Sequence, residues 1–205
     1  SKPQRQGRQF MNVSIPDWTA EGVLPPVDAG DPTSLNRSPY HVSLLDLVEH
    51  FGTSKERIRI LDGFLRYRSG LHEAGLIQGF QWLDGSYMEH VEAIEKRSPN
   101  DIDVVSFIEF PSGMSEMEIK THYSDIIGLT RNSRTLIKRQ LMVDAFMVPL
   151  NRASSVDLVA LSTYWYGVWS HRRDRAWKGF IQVSLMPDHA ARARLDSLMG
   201  QEENV

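Results

Sequence analysis

The 205 residues are 41% apolar and 24% charged, the balance of a globular domain with a real core, and a net charge of −3 gives no global basic field to advertise nucleic-acid binding. The absence of cysteine removes disulfide frameworks, thiolate zinc sites and cysteine nucleophiles together. No stretch reaches the roughly 18 unbroken apolar residues of a membrane span, so the expectation is a cytoplasmic protein with no membrane partner.

Residues 1–38 are polar and rich in proline and glycine, and read as an extended arm with Ile15, Trp18 and Val23–Leu24 as docking points on a single domain over 39–205. Met11 offers an alternative start, which would make the ten residues before it an upstream extension. Helical spacing follows in "VSLLDLVEHFG", closed by Gly52. Thr53 and Glu56 then have the spacing of a capping box, opening a second helix that runs to Gly75. Beyond it, strands are expected at 76–83, 101–110, 141–150 and 177–185. Helices fall at 115–128, 131–139 and 155–170, with a last one after Pro187. The order predicts one α/β (α+β) domain with a small mixed sheet flanked by helices and an N-terminal helical extension.

Two of these strands contain polar residues where the period demands apolar ones. Residues i and i+2 of a strand share a face with Cα atoms about 6.5–7 Å apart, so Asp101 and Asp103 project together while Ile102 and Val104 face the core. Carboxylates this close repel and raise each other's pKa unless a cation lies between them, and a hard divalent ion with oxygen ligands is the usual solution. Asp144 interrupts "LMVDAFMV" in the same way, 41 residues beyond Asp103, room for a helical crossover and a return to the sheet. Gly85-Ser86 follows the first long strand, where backbone N–H groups and a serine hydroxyl can approach a phosphate.

"LDGS", a spacer of 14 residues, "DIDVV" and a later aspartate inside a strand together resemble the DNA polymerase β-like nucleotidyltransferase superfamily. The resemblance covers about residues 76–150. The arm "IPDWTAEGVLPP" and the ending "RDRAWKGFIQVSL" are also similar to minimal bacterial nucleotidyltransferase-like proteins. It implies a polymerase β-like fold in which Gly85 and Ser86 contact a triphosphate and Asp101, Asp103 and Asp144 bind metal and form the catalytic triad. The cofactor implied is Mg²⁺ or Mn²⁺, and the substrate an NTP, ATP first among them. The expected reaction moves a nucleoside monophosphate to a protein side chain or an RNA end with release of pyrophosphate. Expected partners are a cognate toxin or antitoxin, or a component of a phage-defence system. Two rivals stand beside this reading: a catalytically silent antitoxin or regulatory module of the same fold, and a small oligonucleotide- or cyclic-nucleotide synthase.

Plainer readings of the same residues stay open. Asp101 can cap the Pro99-Asn100 turn, Asp103 can pair with an arginine, Asp144 can form a buried salt bridge, and Gly85-Ser86 can be an ordinary turn. Arg131, Arg134, Lys138 and Arg139 suit a solvated helix face as well as a phosphate. In "HRRDRAWK" the same choice applies, and Lys178, at the start of the last strand, is the candidate triphosphate contact. Tyr164, Trp165 and Trp169 suit packing on the sheet or stacking on a base. Glu89, Glu92 and Glu95 read as a solvated helical face, and Glu109 lies too far along its strand, about 20 Å, to join the aspartates.

Overall fold

The computed structural model describes residues 13–202; the alternative start at Met11 lies outside them. In chain order the elements are β1 (Tyr40–His41), α1 (Leu44–Phe51), α2 (Lys55–Glu73), β2 (Gly79–Asp84), a 3-10 turn (Ser86–Met88) and the short α3 (Val91–Ile94). Then come β3 (Ile102–Ile108), α4 (Glu116–Tyr123), α5 (Arg131–Leu141), β4 (Val143–Pro149), α6 (Ser155–Trp169), β5 (Ile181–Ser184) and α7 (His189–Glu202). The protein is thus mixed α/β, with seven α-helices among the described residues and one five-stranded sheet ordered β1-β5-β2-β3-β4. No helix among the described residues is long and apolar enough to cross a membrane. β2 runs antiparallel to both β3 and β5, whereas β3–β4 and β1–β5 are parallel. The β3–β4 pair needs the crossover that α4 and α5 supply.

Helix starts follow local chemistry. Ser43, Ser115, Thr130 and Ser154 each accept from a backbone N–H three residues on, which satisfies one of the orphan donors of the first turn. The expected box at Thr53 is not formed: Ser54 caps α2 by accepting from Arg57 N, one residue later. β1 is an addition to the expected strands, because two residues carry no period to read.

Strand alternation divides the apolar residues between two faces. Ile102, Val104, Leu83, Val143 and Ala145 join the larger core beneath α1, α2, α4, α5 and α7. Val105, Phe107, Trp82 and Val148 face the other way and are covered by α6 through Trp165, Trp169 and neighbours. The aromatic residues of α6 therefore divide, Trp169 packing on the sheet and Tyr164 remaining 60% exposed. By the same period, Asp84, Asp103 and Asp144 belong to the α6 face, at the strand ends where α6 terminates and leaves the sheet uncovered.

The arm docks as a strap. Trp18 Nε1 donates to Met88 O (2.8 Å) and its ring stacks on His90 (4.4 Å), while Val23 and Leu24 are buried. Gly179 N donates to Leu24 O (2.7 Å). α5 is seated against α2 at Gly63, where an added Cβ would lie 1.9 Å from Leu141 O. Replacing Gly63 with alanine is expected to cost about 1–3 kcal/mol of overpacking strain, lowering Tm by roughly 3–10 °C. An unchanged melt would show that the two helices are not held this close.

Candidate functional site

The acidic residues are assembled by sheet register. Asp103 pairs with Asp84 across the antiparallel β2–β3 ladder and with Asp144 across the parallel β3–β4 ladder, so one row of three carboxylates crosses three adjacent strands. Asp101 joins them two residues before Asp103 on the same face. Beside the row lies a cleft of about 930 Å³ lined by Asp84, Gly85, Ser86, Glu89, Asp101, Asp103, Lys138, Asp144 and Lys178, and walled by the end of α6 and the loop His171–Asp174. Gly85, Ser86, Asp101, Asp103, Asp144 and Lys178, expected from sequence to form the site, therefore line one cleft, whereas Arg131, Arg134, Arg139, Tyr164 and Trp165 do not. Glu109 is exposed beyond the other end of β3.

Gly85 is where this geometry admits only glycine. Its φ is +83°, and an added Cβ would lie 2.9 Å from Asp103 Oδ2. The backbone can thus pass close over the central carboxylate and turn directly into Ser86. The turn is clamped from below by Arg57, 1% exposed, which donates to Tyr87 O (2.8 Å) and Glu89 O (2.7 Å) and pairs with Glu92 (2.6 Å). Arg57 also sits over the rings of Trp18 and Tyr87, tying the strap to the turn. Glu92 is therefore an anchor rather than part of a solvated face, and Glu89 is buried as well.

Lys178, expected as a triphosphate contact, lines the cleft with its ammonium turned to two carboxylates. It precedes β5 rather than starting it, and its ammonium lies 2.9 Å from both Asp84 Oδ1 and Glu89 Oε1, with all three side chains nearly inaccessible. Its charge is already committed. The Lys178 ammonium is the partner of Asp84 Oδ1, which has no other side-chain donor among the described residues. Burial pushes Asp84 up to about 7 in spite of Lys178. Burial also opposes charge on Lys178, but Asp84 and Glu89 hold it above its ordinary value. The two shifts pull opposite ways on one pair, and the stoichiometry reconciles them: one ammonium cannot neutralise two buried carboxylates, so Lys178 stays charged and the surplus falls on Asp84.

At the other end of the row Lys138, on the last turns of α5, lies 2.6 Å from Asp101 Oδ2 and 2.9 Å from Asp144 Oδ2. Partial burial disfavours its charge, yet the hydrogen bonds to Asp101 and Asp144 outweigh that and raise it above the usual lysine range. Between the two lysines, Asp103 has no direct side-chain hydrogen bond or ion pair among the described residues. Burial first, then the charges of Asp101 and Asp144, push it up to about 6. Five carboxylates (Asp84, Glu89, Asp101, Asp103, Asp144) thus share two ammonium groups, a deficit that attracts cations.

Among the remaining cleft cations, Arg97 pairs with Glu95 and Arg172 with Asp174. Arg173 is exposed and has no acidic partner among the described residues. Of the other basic residues on α5, Arg134 lies over the Phe146 ring at 5.1 Å, and Arg131 and Arg139 are solvent-exposed.

Residues 16–184 match a family of unknown function (DUF6932). The chain belongs to that family. The matched span contains the arm from Pro16, the whole acidic row and all five strands, so the cleft lies within the part that defines membership. No curated protein and no solved structure matches the chain.

The sequence pattern does not single out Asp84, Glu89 or the bridging role of Lys138. A signal for Asp84 exists all the same: it continues the alternation of Phe80 and Trp82, and that parity alone puts it on the face of the aspartates. The partner of Glu89 lies 89 residues away and leaves no local signal.

Both Asp84 and Asp103 have folded pKa values above the unfolded value of roughly 4. The folded state therefore binds these protons more tightly. The stability they contribute is complete below about pH 4 and is lost as pH rises through about 6 for Asp103 and about 7 for Asp84. In metal-free buffer Asp103→Asn should raise Tm at pH 8 by about 2–6 °C, with the gain vanishing near pH 4. An equal gain at both pH values would contradict this electrostatic origin.

Proposed function

We propose that this protein is a metal-dependent nucleotidyltransferase that moves a nucleoside monophosphate from an NTP to a hydroxyl acceptor, a protein side chain or an RNA end, and releases pyrophosphate. The observation that carries the reading is the in-register acidic row beside the Gly85-Ser86 turn, with Asp103 unpartnered among the described residues at its centre. The order of turn, paired aspartates and third aspartate along the chain, set on a mixed sheet, supports a polymerase β-like fold.

The residues fit a hard divalent cation. Every candidate ligand is a carboxylate oxygen, the type Mg²⁺ and Mn²⁺ prefer. A positive group already stands between Asp101 and Asp144, the Lys138 ammonium, and the cluster still lacks positive charge. No three acidic or imidazole side chains among the described residues are already gathered as a metal cage, and Asp101 and Asp144 are both in contact with Lys138. Asp101, Asp103 and Asp144 would hold the ion, which when bound supplies Lewis-acid charge to the phosphate oxygens.

The chain's own groups divide the remaining work. The backbone of Gly85 and the hydroxyl of Ser86 present donors to the triphosphate. Arg173, the uncommitted guanidinium on the cleft wall, adds a charged contact in the place that the sequence suggests for Lys178. Lys178 instead holds Asp84 and Glu89 behind the turn. The acceptor oxygen attacks the α-phosphorus in line, forming an O–P bond as the bond to pyrophosphate breaks. The hydroxyl proton passes to Asp144, whose side chain is 28% exposed at the cleft's edge. Excluding water and fixing charge supply most of the rate enhancement.

A catalytically silent regulatory module of the same fold draws support from one observation, the Lys138 ammonium bridging two of the three aspartates as a structural ion pair would. One experiment separates the readings: incubation with each α-³²P-labelled NTP, Mg²⁺ and a cell extract, beside Asp101→Ala/Asp103→Ala. Label on protein or RNA, reduced roughly 100-fold or more in the variant, is expected from the loss of transition-state electrostatics. No labelled product with any NTP would overturn the enzyme. Arg173→Ala should raise KM for the NTP about 10-fold, the scale of one charge-assisted hydrogen bond, with kcat little changed. An unaltered KM would remove Arg173 from the substrate site.

A further inference from the structure

The two lysines of the cleft differ in a way that bears on how it is loaded. Lys178 is 5% exposed and enclosed by two buried carboxylates, so it has nowhere to go. Lys138 makes equally short contacts, yet its side chain is 46% exposed and leaves a helix whose exposed side faces solvent. Its stem can swing out without opening the core, because the buried members of α5 are Ser133 and Ile137.

We propose that Lys138 is a resident cation that occupies the metal position of the resting protein and must be displaced before a divalent ion binds. This rests on the metal-dependent reading of the cleft and adds to it a threshold for loading. The ammonium takes one oxygen from each of Asp101 and Asp144, Oδ2 in both cases, at distances that leave no room for a second cation between the same atoms. A divalent ion drawing on those carboxylates and on Asp103 brings twice the charge, but it first has to break the charge-assisted hydrogen bond to Asp144 and the ion pair to Asp101. Asp103, with no side-chain hydrogen bond or ion pair among the described residues and its charge opposed by Asp101 and Asp144, marks the part of the row that the lysine leaves unsatisfied. Competition at Asp101 and Asp144 therefore weakens binding of a bare metal ion. Binding of metal together with nucleotide is favoured more, because the released ammonium can face the phosphates across the same cleft. The protein would then stay unloaded in the presence of the ion alone and take up ion and nucleotide together.

The test is Mn²⁺ binding without nucleotide, measured by electron paramagnetic resonance and by thermal melts, for the wild type, Lys138→Met and Lys138→Gln, with far-UV circular dichroism to verify folding. Both variants should bind Mn²⁺ at least 10-fold more tightly than the wild type, the scale of one charge-assisted hydrogen bond no longer broken on loading. Their metal-free Tm should fall and be restored by Mn²⁺, whereas the wild-type Tm should respond little at the same concentration. Equal affinity in all three proteins overturns the role of Lys138 and leaves the nucleotidyltransferase reading standing. Weaker binding in both folded variants likewise overturns it, since it makes Lys138 a support of the site rather than a competitor. No Mn²⁺ bound by any of the three overturns both the placeholder and the metal site on which it rests.

Discussion

Carboxylates placed side by side on neighbouring strands repel, and the local structure around this cleft is organised to tolerate that repulsion. Asp84, Asp103 and Asp144 lie in one row because the ladders of β2, β3 and β4 put them in register. Each end of the row has an ammonium, Lys178 behind Asp84 and Lys138 against Asp144 and Asp101, while the centre has none among the described residues. Charge of this kind in a partly buried site costs stability, and the raised pKa values of Asp84 and Asp103 express that cost. A row kept at such a cost, open to a cleft and unbalanced in charge, suits a site that completes itself with an external cation.

The rest of the fold can be traced outward from this constraint. Gly85 lets the backbone pass over Asp103, and the turn that follows is held by Arg57 from α2 and by Trp18 from the arm. The strap also reaches the opposite wall, where Arg172 donates to Glu21 O at 3.1 Å. The arm thus spans both sides of the cleft, a structural reason for its inclusion in the family match from residue 16. On the far side, Gly63 seats α5 against α2 and so sets where Lys138 emerges. The sheet's second face carries a single helix among the described residues, α6, and the cleft exists because that helix stops at Trp169, short of the acidic strand ends.

Much of this is legible in the residues. Long amphipathic helices and alternating strands are readable because their periods repeat over many residues, and the aspartates stand out as breaks in those periods. What the residues hide is either short or long-range. β1 has two residues, and the segment after Ser86 forms a 3-10 turn and a four-residue helix, too brief for a helical face. Glu89 and Glu92 accordingly look solvated in the sequence, whereas their partners Lys178 and Arg57 lie 89 and 35 residues away. Asp84 is masked by its neighbours: beside Gly85 it reads as a turn residue, and only strand pairing shows that it stands opposite Asp103. Lys178 suggests a phosphate contact by its sign alone, since the sequence does not reveal that two carboxylates already claim it. Charge identifies candidates, but the sheet order decides which charges meet.

On the reading proposed above, the acidic row takes up a divalent ion and a nucleotide together. A crystal structure with Mn²⁺ and a non-hydrolysable NTP analogue tests it most directly. An anomalous peak is expected among Asp101, Asp103 and Asp144, with the triphosphate against Gly85-Ser86 and the Lys138 ammonium withdrawn from the two carboxylates. No anomalous signal there, with Asp101 and Asp144 still closed on Lys138 while the ligands are saturating, would contradict it.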